Sequence, residues 1–360
     1  MNDEKWMLEA LSLAAKGQGA TSPNPMVGAV LVSQGRVVGR GFHARAGAAH
    51  AEVVAIEEAG SAASGATLYC TLEPCCHRGR TGPCVDRIVA AGVTVVTIGT
   101  EDPDSRVNGG GVQYLREHGI AVRVGVCKTE ARRLNEAFFT VKRLGRPFVT
   151  LKVAVSLDGR ITAGPGQQTF LTQPAALKHA HSVRAEVDAI GVGSNTVMVD
   201  DPLLTARGVK RHRPLVRVLF DTRMRTPSTA RVFSTLESGP VVVMTTDASI
   251  ERWPDRAAAL RQAGACIEPL PGRDPAAALS RLLAYDVNSL LVEGGTELHR
   301  AVWEAGVTDR IRLYIVPVRL GPTGVPWLPS TRLSIAALGG GRLSYLGQDL
   351  LVEADVQRID

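Results

Sequence analysis

The chain has 360 residues, of which 45% are hydrophobic, 21% charged and 4% aromatic, with a formal net charge of +6. That balance describes a globular protein and excludes a disordered or membrane-embedded one; no apolar run is long enough to span a bilayer. Hydrophobic cores stop growing at about 250–300 residues, so two domains are expected.

From the N-terminus, the run MNDEKWMLEALSLAAKG mixes charges of both signs, unlike a signal peptide, and a cytoplasmic location is expected. An amphipathic stretch from Glu4 to Lys16 predicts a helix, and VGAVLV and VVGRGF predict strands. Ala49 to Ala59 predicts a helix, ATLYCTL a strand, Cys84 to Ala91 a helix and VTVVTIG a strand. This alternation reads as a layered α/β domain. A polar loop, EDPDSRVNGGG, is followed by a helix (VQYLREHG), a short strand (IAVRVG) and one helix from Lys128 to about Leu144. Gly145-Arg146-Pro147 breaks the pattern, because the residue before proline leaves helical geometry, and the domain boundary is placed there: 1–145 and 146–360.

Alternation restarts at Phe148 with FVTLKVAVSLDG, a helical run Pro174 to Ala185, then VDAIGVG, LVRVLFD, PVVVMTT, NSLLVEGG, a helix from about Thr296 to Ala305, and RIRLYIVPV. Apolar runs ending in Gly, Asp or Glu predict buried strands whose carboxyl ends face a site. The densest basic run, Lys210-Arg211-His212-Arg213, reads as a solvated loop. With few aromatic residues to stack bases, no nucleic-acid partner is expected.

Four of the six cysteines fall between positions 70 and 84. In a chain without an export signal this clustering favours metal binding or catalysis over disulfides, and Cys127 and Cys266 read as buried small hydrophobes. His50-Ala51-Glu52 followed by Pro74-Cys75 matches the start of the zinc-deaminase pattern, His-x-Glu then Pro-Cys-x-x-Cys, in which the Glu is not a ligand. Three protein ligands leave a zinc position for water, whose pKa the ion lowers to about 7, while a nearby carboxylate carries protons to the leaving amine. The second half of the pattern is altered: Cys75 is followed by Cys76 and His77, and the next cysteine is Cys84. Cys75 and Cys84 are the favoured ligands with His50; Cys76 and His77 stand as substitutes, although adjacent residues seldom both reach one tetrahedral ion. A structural zinc clasp would need a fourth protein ligand, which only Glu52 offers. Asn24, in SPNPMVGAV, reads either as a turn residue or as an amide that contacts a base.

In the second half, GVGSNT and EGGTELHRA are glycine turns feeding helices, suited to phosphate, although the Rossmann spacing is missing. Lys152 and Glu293 are charges inside apolar strands, which are expensive unless paired. VDDPLLTAR adds Asp200, Asp201 and Arg207, and Arg184 lies on the preceding helix.

TSPNPMVGAVLV, GFHARAGAAHAE and TLYCTLEPCCHRGRTGPC resemble the bifunctional deaminase/reductase family of riboflavin biosynthesis, including its wide Cys-x8-Cys spacing. RPFVTLKVAVSLDGRI, RAEVDAIGVGSNTVMVDDPLLTAR and LLVEGGTELHRA resemble the same family's second domain, in the same order. The resemblance implies an α/β fold: a cytidine-deaminase-like three-layer α/β/α domain followed by a dihydrofolate-reductase-like α/β domain. It implies zinc (Zn2+) on His50, Cys75 and Cys84 with Glu52 as proton carrier and Asn24 near the substrate, and NADPH with a phosphorylated pyrimidine substrate in the second domain. There, Lys152, Asp200 and Glu293 lie near the sugar, and Lys152 and Asp200 assist opening of its ring. Gln168, Arg184, Leu204 and Arg207 contact substrate, the two arginines holding its phosphate. Ala154, Phe170, Thr196, Asp200, Thr222 and the stretch Gly295, Thr296, Glu297, Leu298, His299, Arg300 and Ala301 contact the cofactor. Cys76 and Gly82 stand where the family has Ser and Pro. Gln168 and Phe170 stand where it has Ser and Trp, which raises the alternative of a deaminase whose second domain binds ligand without reducing it. A homo-oligomer is expected.

Overall fold

The computed structural model describes residues 3–76, 82–328 and 338–357. The chain divides into two compact units, Met1–Gly145 and Arg146–Asp360.

The first unit runs α1 (Asp3–Ala15), β1 (Gly28–Ser33), β2 (Arg36–Phe42), α2 (Ala51–Ala59), β3 (Thr67–Leu72), α3 (Cys84–Ala90), β4 (Val95–Thr100), α4 (Gly110–Glu117), β5 (Ala121–Val124), α5 (Lys128–Leu134) and α6 (Glu136–Leu144). Its sheet has the order β2-β1-β3-β4-β5, with β1 antiparallel to both neighbours and β3, β4 and β5 parallel. Successive side chains of a strand point to opposite faces, and β1 shows what each face meets. Val30 and Val32 join Met7, Ala10 and Leu11 of α1 and Ala131 of α5, whereas Ala29 and Leu31 join Ala51 and Ala55 of α2, Val85 and Ile88 of α3 and Leu115 of α4. The result is three layers. Glycines let the helices close on the sheet: a Cβ at Gly28 would lie 1.9 Å from the Ala10 oxygen, and one at Gly41 of β2 would lie 2.0 Å from the Ala51 oxygen.

The helix expected from Lys128 to Leu144 is two helices. Asn135 lies between them with φ −110°, its side chain accepting from the Met26 N–H and donating to the Met26 carbonyl, both at 2.8 Å. A side-chain amide bonded to a distant backbone thus sits at the break between the helices and ties α5 and α6 to the turn that precedes β1.

The second unit runs β6 (Phe148–Ser156), β7 (Arg160–Thr162), α7 (Pro174–Glu186), β8 (Ala189–Gly193), α8 (Ser194–Asp200), β9 (Val216–Phe220), β10 (Val241–Thr246), α9 (Asp247–Arg252), α10 (Pro254–Gln262), β11 (Ala265–Leu270), α11 (Pro275–Arg281), β12 (Ser289–Val292), α12 (Thr296–Glu304), β13 (Arg310–Val316), β14 (Val325–Pro326), β15 (Leu338–Leu346) and β16 (Asp349–Val356). Nine strands form one sheet in the order β11-β10-β9-β8-β12-β6-β13-β16-β15. The seven from β11 to β13 are parallel, and β16 and β15 continue antiparallel. Cys266, expected to be buried, is exposed on β11 at the sheet edge, and Cys127 is only partly buried. Among the described residues no helix is long and apolar enough to cross a membrane.

Candidate active sites

In the first unit α2 begins where β2 has turned back, so His50 occupies its N-cap and Glu52 its first turn. Cys75 follows the end of β3, and Cys84 is the first residue of α3. Two helix N-termini therefore meet the end of a strand, and their exposed N–H groups favour negative charge there. His50 Nδ1, Cys75 Sγ and Cys84 Sγ all lie within 4.8 Å of one another. His50 Nδ1 lies 3.1 Å from Cys84 Sγ and 3.5 Å from Cys75 Sγ, and the Cys84 N–H donates to Cys75 Sγ at 3.4 Å.

Cys84 and His50 together hold the Cys75 thiol well below its ordinary range, and Cys84 shifts the other way because it keeps the proton shared between the two sulfurs. One imidazole nitrogen and two sulfurs this close are the donor set of a tetrahedral zinc site with an open position, so the residues present fit the ion. Glu52 is 3% exposed, and burial raises its pKa, as does the neighbouring Cys75. Its Oε2 has no hydrogen-bond partner among the described residues. A buried carboxylate oxygen without a partner among the described residues, beside such a donor set, is chemically able to take up and release a proton there.

Cys76 turns away, its thiol 3.8 Å from the Arg106 carbonyl, and His77 lies outside the described residues. Asn24 makes the turn expected of it, its N–H closing onto the Thr21 carbonyl at 2.9 Å, and its side chain reaches the ring of His43 at 3.2 Å. Two residues of this region were not singled out from the sequence. Glu73, 3% exposed, accepts from the backbone N–H groups of Asp102, Gly109 and Val112 and so binds the polar loop to the end of β3. His43 sits against His50. In the sequence Glu73 is marked only by standing directly before Pro74-Cys75, and His43 only by standing seven residues before His50.

In the second unit a cleft of about 1060 Å³ opens at the carboxyl ends of β8, β9 and β12. Lys152, Ala154, Gln168, Phe170, Arg184, Thr196, Asp200, Leu204, Arg207, Thr222 and Glu293 all line it, as do Gly295 to Leu298 and Ala301. His299 and Arg300 do not. Helical periodicity turns His299 into the core, where its Nδ1 accepts from Trp327 Nε1 at 2.8 Å, and turns Arg300 outward toward Glu304 at 4.0 Å.

The cleft's charged centre is a network. Arg184 forks onto Glu293 with two contacts of 2.8 Å and donates a third bond to the Thr205 carbonyl at 3.1 Å. Lys152 Nζ lies 3.9 Å from the same carboxylate and 5.2 Å from the centroid of the Tyr314 ring. Burial would raise the pKa of Glu293, but Arg184 and Lys152 outweigh it and hold the group at about 2. Burial lowers the Lys152 pKa against the pull of Glu293. Arg184 is thus committed to Glu293, whereas the exposed Arg207 guanidinium has no hydrogen bond or ion pair among the described residues. Gln168 Nε2 donates to the Asp200 carbonyl at 3.4 Å, and Phe170 is 87% exposed at the cleft rim. Gly294, at φ +119°, makes the turn into α12 against Thr196; a Cβ there would lie 2.9 Å from Thr196 Oγ1.

Residues 1–100 match the family described as the cytidine and deoxycytidylate deaminase zinc-binding region, and residues 147–338 match the RibD C-terminal domain. The riboflavin biosynthesis protein RibD of Aquifex aeolicus is 43% identical over 319 residues, covering 89% of this chain and 88% of its own. The Escherichia coli protein of the same name is 37% identical over 334 residues, covering 89% of both chains. Among solved structures, Acinetobacter baumannii RibD superposes with a TM-score of 0.87 at 34% identity over 99% of both chains. A Thermotoga maritima deaminase/reductase does so at 0.85, again at 34% identity and 99% of both chains. The first unit is accordingly a cytidine-deaminase-like domain and the second a dihydrofolate-reductase-like one. With both domains present in one chain and relatives this similar over most of its length, the chain belongs to the RibD family of riboflavin biosynthesis proteins.

Proposed function

We infer that the chain catalyses two consecutive steps of riboflavin biosynthesis, using Zn2+ for the first and NADPH for the second. The first is hydrolytic deamination of 2,5-diamino-6-(5-phosphoribosylamino)pyrimidin-4(3H)-one: water adds at C2 and ammonia leaves. The second reduces the opened ribosyl chain to ribityl, consuming one hydride and one proton and giving 5-amino-6-(5-phosphoribitylamino)uracil. The observation that carries this reading is the closure of His50, Cys75 and Cys84 within 4.8 Å beside the orphaned Glu52 oxygen.

Zinc held by those three residues supplies Lewis acidity that makes water nucleophilic at neutral pH. Glu52 takes a proton from the attacking water and delivers one to the departing amine, and Asn24 contacts the pyrimidine. In the second site Thr196, Thr222 and the turn from Gly295 into α12 would hold NADPH, which would supply the hydride. Lys152 donates a proton as the sugar ring opens, with Asp200 orienting the open form. Arg184 acts through Glu293, fixing the carboxylate that faces Lys152, and Arg207 receives the phosphate. This division departs from the symmetric expectation that both arginines hold phosphate, because Arg184 already forks onto Glu293 and the Thr205 carbonyl with three of its five N–H donors, whereas the Arg207 guanidinium is uncommitted among the described residues.

The alternative, a second domain that binds without reducing, has less support: Gln168 and Phe170 sit on the rim while the Lys152–Glu293–Arg184 centre is complete. A homo-oligomer is proposed, supported by Leu343 and Tyr345 on the edge strand β15, which are 71% and 80% exposed. A cytoplasmic location suits a site that needs cysteines kept reduced. The test gives zinc-loaded protein the diaminopyrimidinone ribotide and follows ammonia and NADPH absorbance. Ammonia with and without NADPH, and NADPH consumed only after deamination, is the expected result; ammonia without NADPH consumption would return the reading to the alternative.

A further inference from the structure

The imidazole of His43 is 3% exposed and packs edge-on against His50, with ring centroids 5.5 Å apart. The deaminase chemistry above makes no use of it. Both of its nitrogens are committed: Nδ1 lies 3.1 Å from the Ala49 carbonyl oxygen and Nε2 lies 3.2 Å from the side-chain nitrogen of Asn24. A carbonyl can only accept, so Nδ1 carries the proton. A neutral ring protonated at Nδ1 has a lone pair at Nε2, and only the NH2 of an amide can meet it. The Asn24 amide therefore cannot flip, and its Oδ1 is left facing the other way. The backbone around it is fixed independently, by the Thr21 carbonyl at 2.9 Å and by the paired bonds between Met26 and Asn135. Only the direction of the amide remained to be decided, and His43 decides it.

We propose that His43 is a positioning residue that locks Asn24 as a hydrogen-bond acceptor, so that the deaminase site selects a pyrimidine edge presenting N–H donors. In the substrate that edge is ring N3–H together with the 2-amino group that leaves. An isosteric ring presenting only lone pairs along this edge is rejected, since it would face Oδ1 with no proton to share. This rests on the deaminase reading above.

The experiment compares H43Q with H43N in the full zinc-loaded chain. Glutamine places its amide oxygen where Nε2 was and keeps an acceptor for Asn24; asparagine reaches only the Nδ1 side and loses it. H43N is expected to raise the deaminase KM about tenfold, the size of one lost buried hydrogen bond, while H43Q stays within about threefold. Zinc content and reductase rate serve as controls and stay at wild-type values. In a cycle with N24A, the H43N penalty disappears, because the two residues act as one unit. Wild-type KM in H43N, or a penalty that simply adds to that of N24A, overturns the proposal. The 15N spectrum of the wild-type chain tests it without relying on how a variant folds: the His43 ring, assigned by its absence from a variant, is expected as the Nδ1–H tautomer, and an Nε2–H or doubly protonated ring overturns it. A zinc-loaded chain that releases no ammonia would instead sink the deaminase reading and leave the tautomer result standing.

Discussion

At the scale of single residues, the two sites treat buried charge in opposite ways. Glu52 is buried with an oxygen that has no hydrogen-bond partner among the described residues, which suits the proton-carrying role proposed for it, in which the carboxylate's partner is the reaction itself. Glu52→Gln preserves shape and leaves all three ligand atoms untouched. Zinc stoichiometry should be unchanged while ammonia release falls roughly a hundred- to ten-thousand-fold; loss of zinc along with activity would show Glu52 to be structural. Glu293 is buried with its charge fully answered. Its pKa of about 2, against an ordinary 4.5, means the folded state holds the ionised form more tightly than the unfolded state does. The stabilisation is present in full above the ordinary carboxylate pKa and is lost as pH falls toward 2. Arg184→Gln removes the fork and strands much of that charge, so the variant should be less stable by about 3–5 kcal/mol at neutral pH. Thermal unfolding followed from pH 7 to 2 should show the gap to wild type narrowing as the stranded Glu293 of the variant, its pKa raised by burial, takes up a proton, and closing as pH falls toward 2, where the wild-type carboxylate is protonated too. A gap independent of pH would mean that Arg184 stabilises through packing alone.

At the scale of elements, the chain was legible wherever a side chain's role was local. His50 and Cys84 open helices, Cys75 follows a strand, and their spacing already implied a shared centre. The strands that end at Gly193 or just before Asp221 and Glu293 announced the cleft through the charges and glycines at their carboxyl ends. What stayed hidden depends on distant partners. Asn135 reads as one polar residue in a helical run, and only its bonds to Met26, 109 residues away, break the helix. The β15–β16 hairpin escaped because β15 carries three glycines and is exposed on both faces, so it shows no period-two burial. Gly41 is a similar case: nothing in VVGRGF says that a helix backbone lies across it. Gly41→Ala would drive its Cβ to 2.0 Å from the Ala51 oxygen, which forces the start of α2 away from β2. The helix start carries His50 and Glu52, so the variant should lose zinc affinity as well as stability, by about 1–3 kcal/mol. Zinc titration of the purified variant checks this, and wild-type affinity would mean that α2 shifts without moving its N-terminus.

At the scale of the whole molecule, each activity is assembled from one unit's residues. Among the described residues, the first centre draws on positions 24 to 112 and the cleft on positions 152 to 326, with none shared between them. Chemistry orders the two steps but does not require the two sites to exchange a side chain. The arrangement predicts that Glu52→Gln and Lys152→Ala each silence one activity and leave the other near its wild-type rate. It also predicts the behaviour of the two variants mixed in one tube. Deaminated product leaves Lys152→Ala chains, meets Glu52→Gln chains and is reduced there, so the mixture should convert substrate completely. NADPH consumption should begin after a lag that shortens in proportion to the concentration of the Glu52→Gln protein, because the intermediate must be captured from solution. Stopped-flow absorbance of NADPH, set against ammonia release, reads both quantities. Wild type with the same concentration-dependent lag would show that joining the domains confers no transfer advantage. Wild type with a lag independent of concentration, beside a mixture that obeys the dependence, would show that the intermediate is passed within one chain or one assembly. A mixture that never reduces what it deaminates would show that the intermediate is not released, and would overturn the independence of the two sites.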